Sequence, residues 1–124
     1  MTPFGKHIRR LRREKNVTQK DMARAIGVSS AYLSALEHGK RGRPSWYLVQ
    51  RIINYFNIIW DDAEELTRLS RISHPRVTID TSQLSPAATE LANRLAVKIS
   101  ELDEARLEEM LELLERPGKL QNKL

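Results

Sequence analysis

The sequence predicts an all-α protein built from two groups of helices, and three observations carry that prediction. Apolar residues recur at three- and four-residue steps along nearly the whole chain. Capping residues stand before most of these stripes, and Gly or Asn follows several of them. The alternation of apolar and polar residues that marks a half-buried strand occurs only around Val77 and Ile79.

Each element follows in turn. Phe4, Ile8 and Leu11 mark the first helix, and Val17 closes the segment after Lys15-Asn16. Thr18 opens the second helix, and its spacing to Asp21 is a capping-box pattern. Met22, Ala23 and Ile26 form the apolar face, and Gly27 stops the helix as a C-terminal glycine does. Ser29 caps a third helix with Leu33 and Leu36 inward and Gly39 at its end. Lys40-Arg41-Gly42-Arg43-Pro44 is a basic loop. Ser45 caps a fourth helix carrying Leu48, Val49, Ile52, Ile53 and Phe56, with Asn57 as its terminator. Asp61-Asp62 open a fifth, where two carboxylates suit the positive end of the helix dipole. Ala63, Leu66, Leu69 and, at the edge, Ile72 face inward. Trp46 and Trp60 are read as sealing the junction of helices four and five rather than stacking on bases, because the Phe56–Trp60 spacing is helical.

Ser73-His74-Pro75 then breaks the pattern, and a short extended stretch is expected around Val77 and Ile79. Ser85-Pro86 starts a sixth helix, striped by Ala88, Leu91, Leu95, Ile99 and Leu102. Asp103 caps a seventh with Leu107, Met110, Leu111 and Leu114, ended by Pro117-Gly118. The expected organisation is a first domain over 1–72, a linker over 73–85, a C-terminal helical segment over 86–116 and a frayed tail over 117–124.

A length of 124 residues allows one or two small domains, and 40% hydrophobic content is enough for a packed core. The charge is uneven. Residues 1–60 hold 12 Lys/Arg and 3 acids, net +9, whereas residues 61–124 hold 9 Lys/Arg and 13 acids, net −4. A basic front end suits a polyanion, and an acidic back end has another task. The absence of cysteine excludes disulfide scaffolds, thiol redox chemistry, zinc–thiolate fingers and iron–sulfur clusters. No apolar run approaches the roughly 18 residues of a membrane span. Met1 to Arg13 lacks the apolar core of a secretion signal, so a cytoplasmic protein is expected. His7, His38 and His74 lack metal-ligand spacing, and no Ser/His/Asp or phosphate-loop pattern appears. Asp61-Asp62-x-Glu64-Glu65 reads as a capping cluster. The chain is therefore read as a non-enzyme with no cofactor and no metal site.

Two short helices joined by a tight turn at Gly27-Val28-Ser29 form a helix-turn-helix candidate. The words around it are Ile8-Arg9-Arg10-Leu11-Arg12, Thr18-Gln19-x-x-Met22-Ala23, Tyr32-Leu33-Ser34, Leu36-Glu37-x-Gly39-Lys40 and Arg43-Pro44. In these words and their ungapped spacing, residues 4–59 resemble the helix-turn-helix domain of the XRE family, which includes the Cro and lambda-type phage repressors. The resemblance implies a five-helix, lambda-repressor-like DNA-binding domain. The two further helices are read as a C-terminal helical hairpin.

The third helix supports this independently. At about 100° per residue, Ser29, Leu33, Leu36 and Glu37 fall on one side. Ala31, Ser34, Ala35 and His38 fall on the other, with Ser30 and Tyr32 on the flanks. One apolar face and one face of small residues let a helix sink into the major groove. The resemblance assigns base reading to Ser30, Ala31, Ser34 and Ala35. None of these is the Gln, Asn or Arg that makes bidentate base contacts, so direct readout is expected to be weak. The alternatives are methyl contacts to thymine, DNA shape, or Arg41 and Arg43 in a narrow minor groove.

Gln19 at the start of the second helix, with the free N–H groups there, suits a phosphate oxygen, and the resemblance gives it that role. Lys40, Arg41 and Arg43 are backbone contacts by resemblance and by charge. Thr18, Ser29 and His38 join that set. Tyr32 either donates its hydroxyl to the DNA backbone or pads the surface. Arg12 and Glu37 match a family pair that forms a buried salt bridge.

The C-terminal stripes of Leu91, Leu95, Ile99 and Leu102 and of Leu107, Met110, Leu111 and Leu114 suit a hairpin, but about 30 residues cannot bury both alone. Homodimerisation is favoured over packing within the chain, since one helix-turn-helix reads only one half-site. The sequence thus points to a dimeric, double-stranded-DNA-binding transcriptional regulator, more in keeping with a repressor than an activator. The second reading is an antitoxin-like or adaptor protein whose acidic C-terminal helices bind a protein partner. No membrane partner is expected.

Overall fold

Among the described residues seven α-helices form, and at six of them a hydroxyl or carboxylate side chain just before the helix accepts from a backbone N–H of its first turn. The computed structural model describes residues 1–116. Helix α1 spans Pro3–Lys15, α2 Gln19–Ile26, α3 Ser30–Glu37, α4 Trp46–Phe56, α5 Trp60–Arg71, α6 Pro86–Lys98 and α7 Glu104–Glu115, with a 3-10 turn over Ile99–Glu101. Thr2, Thr18, Ser29, Ser45, Ser85 and Asp103 accept from a first-turn N–H of α1, α2, α3, α4, α6 and α7, at 2.9 to 3.4 Å. Helix α5 has no side-chain cap; Asp61 and Asp62 lie in its first turn, where they offset the dipole. Asn16, Gly27 and Asn57 terminate α1, α2 and α4 in the left-handed region. Among the described residues there is no strand, and Val77 and Ile79 are exposed. No described helix is long and apolar enough to cross a membrane.

The chain divides into a unit over Met1–Val77 and a second from Thr78 onward. In the first unit α1 packs on α3 and α5, α2 on α3 and α4, and α4 on α5. Phe4 and Ile8, Met22 and Ile26, Leu33 and Leu36, Leu48, Val49, Ile52, Phe56 and Leu66 meet in one core. Each such side chain contributes about 1.5–3 kcal/mol by leaving water.

Three apolar residues do not go where the sequence suggests. Trp46 is 63% exposed, Trp60 82% and Ile72 55%. Trp46 is the first residue of α4 and lies on the flank of its apolar stripe, stacked edge-on against Tyr47 at 5.2 Å. Asn57 turns the chain left-handed after Phe56, so the helical register does not carry through to Trp60. Beyond Arg71 the helix has ended, and Ser73, not Ile72, turns inward.

The tightest joint holds α1 to the C-terminal end of α3. Arg12 donates from Nε and Nη2 to the two Glu37 carboxylate oxygens at 3.2 and 3.1 Å. Glu37 is fully buried, and its backbone carbonyl accepts from the Thr2 N–H at 3.3 Å. A Cβ on Gly5 would lie 2.6 Å from the Glu37 carbonyl carbon, so only glycine lets α1 approach this closely.

In the second unit, the Thr81 and Thr89 hydroxyls bond at 2.7 Å, and Asp80 accepts from the Ser82 N–H. Helix α6 ends at Lys98, earlier than the stripe to Leu102 suggests, and Leu102 is extended. No residue of α6 or α7 is buried. Leu91, Ile99, Leu111 and Leu114 are exposed; Leu95, Leu102, Leu107 and Met110 are half-buried. The apolar stripe is therefore only partly covered. The expected helix end at Pro117-Gly118 and the tail lie outside the described residues.

Two outcomes follow for stability. Arg12→Ala strands a buried carboxylate and should cost about 3 kcal/mol, whereas Arg13→Ala, at an exposed site, should cost little; thermal melts of the two variants compare them. Equal melting temperatures would remove the pair from the account. His7, beside α5, is half-buried and accepts from Arg10 Nη2 at 3.0 Å through Nδ1. Burial and then the Arg10 charge push its pKa below 6.5, outweighing the opposite pull of Glu65, Glu14 and Asp62. The unfolded chain therefore binds this proton more readily, so the His7 contribution should fall as pH drops through 6.5 and level off once the folded ring is also protonated. Between pH 7.5 and 5.5, the melting temperature of His7→Gln should drop less than that of the parent; an equal drop would contradict this.

Candidate nucleic-acid interface

The turn between α2 and α3 is set by Gly27 at φ 81° and closed by the Val28 N–H on the Ala23 carbonyl at 2.9 Å. From α4, Arg51 Nη1 donates to the Ile26 carbonyl at 3.0 Å, satisfying a free acceptor at the end of α2. Ser29 then starts α3 by accepting from the Tyr32 N–H. The two helices are thus fixed at both sides of a turn of three residues.

Helix α3 has two unlike faces. Leu33, Leu36 and Glu37 are buried against α1 and α2. Ser30 and Ala31 are exposed, and Ser34 and Ala35 are half-buried on the outward side. No side chain longer than a hydroxymethyl stands among these four. His38 follows, exposed, with Nδ1 at 2.8 Å from the Ser34 carbonyl. That bond ties the ring back to the helix end and satisfies one of its last acceptors.

The flanks supply charge and donors. Gln19 is the first residue of α2 and half-buried; Thr18, just before it, uses its oxygen to cap Asp21. After α3, Gly39 at φ 77° and Gly42 at φ 76° bracket Lys40 and Arg41, and the Lys40 N–H bonds the Ala35 carbonyl at 2.8 Å. Lys40, Arg41 and Arg43 are all exposed. Arg41 lies over the Tyr32 ring, its guanidinium carbon 5.6 Å from the centroid. Tyr32 therefore serves as a platform that orients a cation, in addition to padding α3. The structure brings Thr18, Gln19, Ser29 to Ala35 and the 40–43 loop onto two consecutive helices and the segment that follows them. The residues Leu91 to Leu114 belong to the other unit.

Sequence reasoning missed Arg51, Gly5 and the segment Ser73–Pro75. Arg51 and Ser73 act on partners 25 and 69 residues away, which no local pattern reveals. Gly5, one glycine inside an apolar helical stretch, was the available sign of a close approach.

A family model described as a helix-turn-helix domain matches residues 3–69. In Bacillus subtilis (strain 168), an uncharacterized HTH-type transcriptional regulator, RghRB, is 34% identical over 62 residues, 50% of this chain and 45% of that protein. The HTH-type transcriptional repressor RghR of the same organism is 34% identical over 61 residues, 49% of this chain and 45% of that protein. The chain spans less than half the length of either relative. No solved structure matches it.

Proposed function

The chain belongs to the helix-turn-helix domain family, and from that premise we propose that it is a sequence-specific, double-stranded-DNA-binding transcriptional regulator. In this reading it is a cytoplasmic repressor that binds a palindromic operator as a homodimer, with α3 in the major groove. The observation that carries it is the two-faced α3, with one side locked into the core by Leu33, Leu36 and Glu37 and the other built from small side chains. Such a face lets the helix approach base edges closely. The name of one relative, a transcriptional repressor, supports the sign of regulation.

The residues divide by task. Ser30 and Ser34 offer hydroxyls to base edges, and Ala31 and Ala35 offer methyls to thymine C5-methyl groups. Gln19 and the free N–H groups at the start of α2 hold a phosphate oxygen, with Thr18 at that same helix start and Ser29 at the start of α3. Lys40, Arg41 and Arg43 neutralise further phosphates, aided by His38 and by Tyr32 beneath Arg41. Four short side chains discriminate little by hydrogen bonding, so sequence-dependent groove shape carries the larger share of specificity.

The second unit supports the dimer. Its stripe of Leu91, Leu95, Ile99 and Leu102 with Leu107, Met110, Leu111 and Leu114 is only partly covered in a single chain. A second copy over 86–116 would cover it and place two α3 helices on two half-sites. Glu101, Asp103, Glu104, Glu108, Glu109, Glu112 and Glu115 then keep the outer face soluble.

Two measurements test the reading. Replacing Arg41 and Arg43 with Ala should weaken binding to every duplex and flatten the salt dependence by about one unit of slope per lost phosphate contact. An unchanged slope would mean that the loop faces away from DNA. In selection from random duplexes, the parent protein should enrich one recurring sequence. Ala35→Glu, and Ala31→Glu at a more exposed position, should abolish that enrichment while the helical circular dichroism and melting temperature stay near the parent's. Undiminished enrichment would show that α3 is not the reader.

A further inference from the structure

The chain leaves α5 through Ser73-His74-Pro75, and this short segment backs both glycine hinges of the basic loop. Ser73 is buried; its hydroxyl accepts from the Phe4 N–H at 2.9 Å and donates to the Leu69 carbonyl at 2.6 Å. That pair of bonds pins the segment to the first turn of α1 and the last turn of α5. From this anchor the next two side chains reach the loop. A Cβ built on Gly42 would lie 3.4 Å from His74 Nε2 and 3.7 Å from Cδ2, so the imidazole edge rests on Gly42. A Cβ on Gly39 would lie 3.7 Å from Pro75 Cβ and 2.9 Å from Thr2 Cγ2, so Gly39 is wedged between Pro75 and the start of α1. The Arg76 N–H donates to His74 Nδ1 at 3.1 Å, which fixes the ring's orientation.

The physical need for such backing is plain. Two glycines within four residues give the loop large backbone freedom, and that freedom is lost on binding. Lys40, Arg41 and Arg43 also repel one another. A loop of this composition holds one shape only where something fixes it from behind. On its outer side Arg41 is held over Tyr32; on its inner side the contacts come from Thr2, His74 and Pro75.

We propose that Ser73–Pro75 is a strap that pre-shapes the Gly39–Arg43 loop for phosphate contact, with His74 and Pro75 as positioning residues for DNA binding that do not themselves touch DNA. The inference rests on the reading of Lys40, Arg41 and Arg43 as backbone contacts.

The test is a double-mutant cycle on the full chain, with a mixed-sequence duplex of about three helical turns as probe. His74→Ala removes the ring from Gly42 at an exposed site. It should weaken binding about fivefold, the order expected when one or two phosphate contacts loosen, and leave the melting temperature unchanged. His74→Phe, which keeps a flat ring against Gly42, should restore binding. In an Arg41→Ala, Arg43→Ala background, His74→Ala should have little further effect, because of the three loop cations only Lys40 is left to position. Unchanged binding in His74→Ala overturns the strap. So does a loss that persists at full size in the double-arginine background, which would make His74 an independent contact. If removing both arginines alone leaves binding unaltered, the phosphate-contact reading of the loop fails and the strap fails with it. That outcome is distinct from the first two, in which the arginines matter and His74 does not act through them.

Discussion

The burial of the Glu37 carboxylate at the end of α3 is the constraint on which the rest of the first unit depends. An isolated charge in that position would be far too costly to desolvate. Arg12 makes it tolerable by presenting its planar fork to both carboxylate oxygens from α1. That arrangement demands a particular placement of α1, and Gly5 permits it by lacking the Cβ that would collide with the α3 backbone at Glu37. The Thr2 N–H completes the joint on the Glu37 carbonyl. A carboxylate that has one acceptable partner fixes direction as well as proximity, so the joint sets the rotation of α3 about its own axis. The face carrying Ser30, Ala31, Ser34 and Ala35 points outward as a consequence.

What that outward face can do is limited by its size. Small residues allow close approach but recognise little by themselves, so the interface leans on its flanks. Those flanks are built with unequal rigidity. Gln19 and Ser29 sit at helix starts, where free backbone donors and dipole share one direction. The loop after α3 has two glycines and three cations and takes its shape from Tyr32 on one side and from Thr2, His74 and Pro75 on the other. The second unit makes a different contribution. Its helices are capped as well as those of the first, yet none of their residues is buried. Well-capped helices with a partly open apolar stripe are suited to covering by another surface, and in the proposed dimer a second copy of the chain would provide it.

Much of the fold is legible in the sequence because the signals are local. A hydroxyl or carboxylate at a cap meets an N–H three residues on, and this holds for Thr18, Ser29, Ser45 and Asp103. Periodic apolar residues such as Met22, Ile26, Leu33 and Leu36 point to the core for the same local reason. Large apolar residues at element boundaries mislead, because their direction depends on where the helix ends. Asn57 resets the register before Trp60, and the end of α5 at Arg71 puts Ile72 outside and Ser73 inside. Contacts of long sequence separation stay hidden altogether. Nothing near Ser73 in the sequence announces Phe4, and nothing near Arg51 announces the carbonyl of Ile26. The outward, small-residue face of α3 is legible from its wheel, whereas the contacts behind the basic loop come from residues that carry no motif.

The most direct test of the central claim is to incubate the purified protein with sheared genomic DNA of its source organism near physiological salt and to sequence what is retained. The account predicts a recurring inverted repeat whose half-sites lie about 10 base pairs, or a multiple of that, apart. Retention of arbitrary fragments, lost steeply as salt rises, would contradict it and leave a basic surface without sequence readout.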